Sequence, residues 1–195
     1  MKKIIIIFLL FCINFINAQQ TLPLNTPKID IPNGAYYKDL DGELDPYVGA
    51  WKGTWDGKTL YLELKKIKKR YMSNDGTYYD SDKIVGERKL VSSNGTIEID
   101  RISNFDQNAP EFYGIYPTRK PLGQKSLFFQ PKNMCNKTAD LIIIFTNSQK
   151  TQISLELIEN PVTISDITCP NYNQLVEPGK GWRFNFPKDI VLTKQ

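Results

Sequence analysis

The chain of 195 residues is 41% hydrophobic and carries 25 basic against 21 acidic side chains, a formal charge of +4. That apolar share at that length suits one domain with an ample core, and so mild a positive charge demands no anionic partner. Histidine is absent, which removes the Ser-His-Asp and Cys-His catalytic constellations and most transition-metal sites.

Lys2 and Lys3 precede an almost unbroken apolar run over residues 4–16, and Ile16-Asn17-Ala18 leads into Gln19. A basic start, a short greasy centre and a small residue at the cut make a secretory signal peptide over 1–18, and the run is too short to span a bilayer. Cleavage is expected after Ala18, with export to the periplasm or the medium. Cys12 raises lipid anchoring, but Phe11 is too large for the usual small residue before such a cysteine and apolar residues continue beyond it. Membrane association is therefore expected only if Cys12 is lipidated. With Cys12 gone, Cys135 and Cys169 remain, and two cysteines in an exported chain form one bridge, worth roughly 3 kcal/mol for a loop of about 34 residues. The alternative is two free thiols.

Residues 19–46 carry Pro23, Pro27 and Pro32 with little periodicity and read as an N-terminal surface arm. Its acidic end, Asp39, Asp41, Glu43 and Asp45, invites a calcium reading. The spacing lacks the length and the closing glutamate of an EF-hand loop, so a solvated acidic turn is expected and no metal site. One short helix is expected near residues 40–47. In the following stretch, YVGAWKGTWDGKTLYLEL, two runs meet at Asp56-Gly57, the dipeptide of a type I′ hairpin turn. Leu60, Leu62 and Leu64 alternate with polar positions, and Trp51, Gly53 and Trp55 share one parity, so both runs read as strands with one buried face.

The basic run at 65–70 reads as a solvated strand end blunted against edge pairing, since export directs the chain away from nucleic acid. Strands are then expected over 78–91, as one bent strand or two with Gly86 as a bulge, and over 96–102, 112–116, 126–130, 141–146 and 153–158. The run at 141–145 is apolar on both parities and is expected in the sheet interior, covered on both sides. Residues 159–181 form a long aperiodic loop that a bridge from Cys169 to Cys135 would pin, and 182–186 and 190–192 supply two last short strands. No stretch keeps helical spacing for about three turns, so the fold class is all-β, a single domain over 47–195.

Gly49-Ala50-Trp51 directly after an arm, followed by a meander of hairpins, resembles the calycin superfamily of lipocalins, fatty-acid-binding proteins and avidins. That resemblance implies an antiparallel up-and-down barrel of about 8 to 10 strands. It also implies that Gly49 lets the arm pass close beneath the barrel, that Trp51 plugs the closed end, and that Arg183 in GWRF lies over the indole through a cation–π contact. More closely, YVGAWKGTWDGKTLYLELKK, the Gly86-Glu87 strand and the terminal IVLTKQ resemble a family of small exported bacterial proteins known only as a domain of unknown function, which brings no activity with it.

No spacing among Asp80, Asp82, Glu87, Glu98 and Asp100 selects a catalytic carboxylate pair, and an enzyme is not expected. Neither is a cofactor. What remains is a binding module, expected to be a monomer. Trp55, Tyr61, Tyr78, Phe112 and Tyr116 are the candidates to line a site for a small apolar or amphipathic ligand. The alternative is a filled-core envelope or surface protein that binds glycan or a protein partner through an exposed face, and a hydrolase stands behind both.

Overall fold

The computed structural model describes residues 19–117, 123–162, 165, 167, 169–170, 172–177 and 181–195. The leader over 1–18, its cleavage point and Cys12 lie outside these residues. Among the described residues thirteen strands run in chain order: β1 Thr21–Pro23, β2 Ala35–Lys38, β3 Gly49–Trp55, β4 Lys58–Met72, β5 Tyr78–Val91, β6 Ile97–Asp100, β7 Phe112–Pro117, β8 Lys125–Phe129, β9 Ala139–Phe145, β10 Gln152–Glu159, β11 Val176–Glu177, β12 Gly181–Trp182 and β13 Asp189–Lys194. Among the described residues, helix is confined to a 3₁₀ turn at Asp45–Tyr47 and one turn at Tyr172–Leu175. The short helix expected near 40–47 is thus a single turn, because Pro46 suits only its opening residues.

Eight of the strands close an antiparallel barrel in the order β5-β4-β3-β13-β10-β9-β8-β7, with β7 returning to β5 through Val85↔Tyr113 and Gly86↔Phe112. β6 adds to β5, and β11 pairs β12 separately. The Asp56-Gly57 turn has positive φ at both positions, 49° and 74°, which a type I′ turn requires. The stretch 78–91 is one strand. Of the expected strand over 182–186 only Trp182 lies in a strand, β12, and residues 183–187 are irregular. β9 is not covered on both sides throughout: Ile142 is buried on the outer face, but Ile144, two residues on, is 43% exposed.

The chain divides into two compact units, one of Gly42–Lys68 with Asp82–Gln195, the other of the segment ending at Asp41 with Lys69–Ser81. The larger holds the barrel. Its inward positions follow the strand period, and Trp51, Leu60, Leu62, Leu64, Phe112, Phe129, Ile153 and Leu192 have no exposed surface at all. A void able to admit even one water would expose some of that surface, so side chains fill the space among these residues, as in small barrels whose interiors are packed.

In the smaller unit the arm is more ordered than its prolines suggest. β1 pairs β2 and β2 pairs the start of β5, both in parallel. The Tyr71 and Tyr79 rings stack at 5.0 Å, and the Lys28 ammonium lies 5.2 Å from the Tyr37 ring and 5.4 Å from Tyr79. Arg70 forks onto the buried Asp80 carboxylate at 2.9 and 3.2 Å, a bidentate geometry that fixes direction as well as distance.

Candidate functional site

The two ends of β9 mark two different closures of the barrel. At its Phe145 end, the 3₁₀ turn brings Tyr47 against Phe145 with ring centroids 4.8 Å apart, and the Trp51 indole Nε1 donates to the Tyr47 carbonyl at 2.9 Å. The cation over that indole is Lys194, not Arg183. Lys194 stands opposite Trp51 in the β13–β3 register, its Nζ 5.3 Å from the ring and donating to the Pro46 carbonyl at 3.2 Å. Arg183 is exposed in the irregular segment after β12. Gly49 explains the spacing: its φ is 134°, and a Cβ there would sit 2.8 Å from Lys194 Cε. Glycine two residues before the tryptophan clears the path by which the lysine stem reaches the ring.

At the Ala139 end, β9 pairs Phe129, whose ring stacks on Phe112 at 4.5 Å. Arg88 is buried beside it with Nε 2.8 Å from the Glu111 carboxylate, and Lys132 N donates to the other Glu111 oxygen at 3.1 Å. Burial pulls the Arg88 guanidinium below its ordinary pKa, against Glu111, which raises it. One residue earlier on the opposite face, Glu87 is also fully buried. Burial pushes its carboxyl up despite Arg101 at 3.3 Å.

An open groove of about 610 Å³ lies on the outside of the barrel, lined by Asp45, Val48, Lys65, Lys66, Ile67, Phe105 and Gln107. The β3–β4 ladder ends at Gly49↔Leu64, so from Lys65 onward β4 runs past the end of β3, and side chains from both of its faces reach the space beside it. That is why Lys65 and Lys66, adjacent in a strand, line one groove. Val48, Ile67 and Phe105 supply apolar surface. The Lys65 ammonium lies 3.9 Å from the Phe105 ring centroid and 3.2 Å from Glu63, and Lys66 pairs with Asp45. Phe105 is held by the turn after β6, where Ser103 N and Oγ donate to Asp100 at 2.9 and 2.8 Å. Those hydrogen bonds, the backbone one foremost, hold the Asp100 carboxyl below its ordinary pKa. Apolar surface rimmed by a few fixed charges suits a small amphipathic molecule.

A smaller hollow of about 310 Å³ is lined by Lys137, Glu159, Asn160, Pro161, Val162 and Trp182. Lys137 is 3% exposed, pairs with Glu159 at 2.9 Å and lies 4.8 and 4.4 Å from the Trp182 and Phe184 rings. The bridge between Cys135 and Cys169 stands two residues before it, with Cα atoms 5.5 Å apart, so the expected pairing forms.

The five candidate ligand residues do not line one cavity. Trp55 sits at the hairpin with the Lys58 ammonium 6.0 Å from its ring, and Tyr61 faces outward beneath Lys52 at 5.5 Å. Phe112 is core, Tyr116 is 43% exposed with Lys83 at 5.3 Å, and Tyr78 belongs to the smaller unit under Arg70 at 4.1 Å. Burial raises the Tyr116 phenol above its ordinary pKa. Strand aromatics alternate between faces, so five taken from four strands had no reason to converge. Phe105, Ile67 and Val48 escaped the sequence reading. The only signal was Phe105, a lone aromatic in the polar run SNFDQN. Among the described residues no three carboxylates or cysteines gather as a metal site. Glu43 and Asp45 of the acidic run pair instead with Lys125 and Lys66.

A protein-family model matches residues 1–195 and describes a family of unknown function (DUF6705). No curated protein and no solved structure matches the chain.

Proposed function

The chain belongs to DUF6705, a family of unknown function, and on that premise we propose that it is an exported, non-enzymatic binding module of calycin-like build that takes a small amphipathic ligand on the outside of its barrel. The observation that carries this reading is the contrast between a packed interior, where Trp51, Leu60, Leu62, Leu64 and Phe112 have no exposed surface, and an outer groove of about 610 Å³ lined by apolar and charged side chains. A ligand seated on Val48, Ile67 and Phe105 would leave its polar end at Lys65 and Lys66. Export rests on the leader read from residues 1–18, and the Cys135–Cys169 bridge is consistent with an oxidising compartment. Binding rather than catalysis rests on the absence of histidine and on the pairing of the groove's lysines with carboxylates, which leaves no activated nucleophile there.

The test is titration with anilinonaphthalene sulfonate, an anionic amphiphile whose emission rises in apolar surroundings. Wild type is expected to bind it at one saturable site, and Phe105→Ala and Lys65→Glu are each expected to weaken binding about tenfold, the loss of roughly 1.4 kcal/mol of contact. Equal affinity in wild type and both variants would move the site elsewhere.

A further inference from the structure

The Ala139 end of the barrel is stopped by the chain itself. Arg88 spends its Nε on Glu111, and its two remaining nitrogens donate to the two oxygens of a single residue: Nη1 to the Asn185 carbonyl at 2.6 Å and Nη2 to the Asn185 Oδ1 at 2.8 Å. Paired acceptors on one guanidinium fork are how a bidentate ligand sits. The rings on either side of Asn185 complete the likeness, with Phe184 5.8 Å and Phe186 5.0 Å from Phe129, and Phe186 6.0 Å from Phe112. Residues 184–186 thus offer Arg88 and the Phe112–Phe129 stack two oxygens between two apolar bodies.

Two features distinguish this segment from the rest of the core. Residues 183–187 belong to no strand, so no ladder of backbone hydrogen bonds holds them. Just before them, the Trp182 indole Nε1 is buried with no acceptor, a cost that disappears when the segment lifts and water reaches the nitrogen. The charge already in place limits what could replace the segment. Glu111 balances Arg88 at 2.8 Å, so a carboxylate ligand would bury a second, uncompensated negative charge. Asn185 presents amide oxygens, which are uncharged.

We propose that residues 183–187 are a displaceable stopper and that the Arg88 end of the barrel is a latent site for an uncharged acyl compound. Its carbonyl takes the place of the Asn185 oxygens and its apolar body that of the Phe184 and Phe186 rings. The site is separate from the outer groove.

The probe is prodan, an uncharged naphthyl ketone whose emission reports both polarity and hydrogen bonding. Asn185→Ala with Phe186→Ala is expected to bind prodan about tenfold or more tightly than wild type, because the closed arrangement no longer competes. Adding Lys65→Glu is expected to leave that gain intact. A double variant that unfolds cooperatively yet binds no more tightly overturns the proposal, and so does a gain that Lys65→Glu abolishes. Should the double variant not fold, amide exchange of the wild type decides. Saturating prodan is expected to speed exchange at Asn185 and Phe186 while the β9 and β10 amides stay protected, and unchanged exchange at those two positions overturns the proposal.

Discussion

Replacing Gly49 by alanine tests whether the glycine two residues before Trp51 is there for the lysine that covers the indole. The new Cβ would lie 2.8 Å from Lys194 Cε, so the flexible lysine must swing away and lose both the Trp51 ring at 5.3 Å and the Pro46 carbonyl at 3.2 Å. Those two contacts are together worth about 1 to 2 kcal/mol at a half-buried site. The backbone adds its own term, since φ of 134° in a residue with a side chain costs about 1 to 3 kcal/mol. Gly49→Ala is therefore expected to destabilise by about 2 to 5 kcal/mol and Lys194→Ala by about 1 to 2. The decisive quantity is their coupling. In the double variant the lysine contacts are lost only once, so the two effects should fall short of additivity by about 1 to 2 kcal/mol. Urea unfolding of the four proteins, followed by far-UV circular dichroism, measures this. Additivity within about 0.5 kcal/mol would refute the reasoning, because the glycine and the lysine would then act independently.

Other outcomes follow from the same geometry. Reducing the Cys135–Cys169 bridge, or replacing both cysteines by serine, opens a loop with a sequence separation of 34 and should cost roughly 3 to 4 kcal/mol by loop entropy; an unchanged urea midpoint would contradict this. Glu87 titrates higher folded than unfolded, chiefly through burial. The folded state therefore holds the extra proton, and the stability due to this group is full below its ordinary pKa of 4.5 and lost as pH rises through the raised value. Glu87→Gln should flatten the fall in stability over that acid window, which unfolding curves at stepped pH would reveal; an unaltered slope would show that Glu87 does not carry it. The intact mass of the mature protein from its natural host should correspond to a chain that begins at Gln19; a retained leader would contradict cleavage there, and a lipid on Cys12 would make the protein anchored rather than free.

Strands of the barrel were legible where a buried face alternates with a wetter one, whereas β2, whose Ala35 and Tyr37 are also buried, was not. Leu60, Leu62 and Leu64 alternate with wetter neighbours, and Asp56-Gly57 has the backbone signs its turn needs, so the founding hairpin could be placed from residues alone. A closed barrel was expected and forms, and Trp51 is buried, but position near the C-terminus misassigned the cation over its indole. Lys194 reaches the ring because β13 sets it opposite Trp51, and register between distant strands is not written in local composition. The same limit hid the parallel pairing of β1 and β2 and the groove, whose Phe105 and Lys65 meet only through the fold. Aromatic content was a poor guide to a site. Phe112 proved to be core and Tyr61 outer surface, since β propensity places such residues in strands with or without a ligand.

The account rests on a barrel interior with no room for a ligand, and xenon reads that directly, because it enters dry apolar voids. Crystals pressurised with xenon are expected to show no bound atom among Trp51, Leu62, Phe112 and Ile153, all without exposed surface. A well-occupied xenon site among those four side chains would contradict the account and return the ligand to the inside of the barrel.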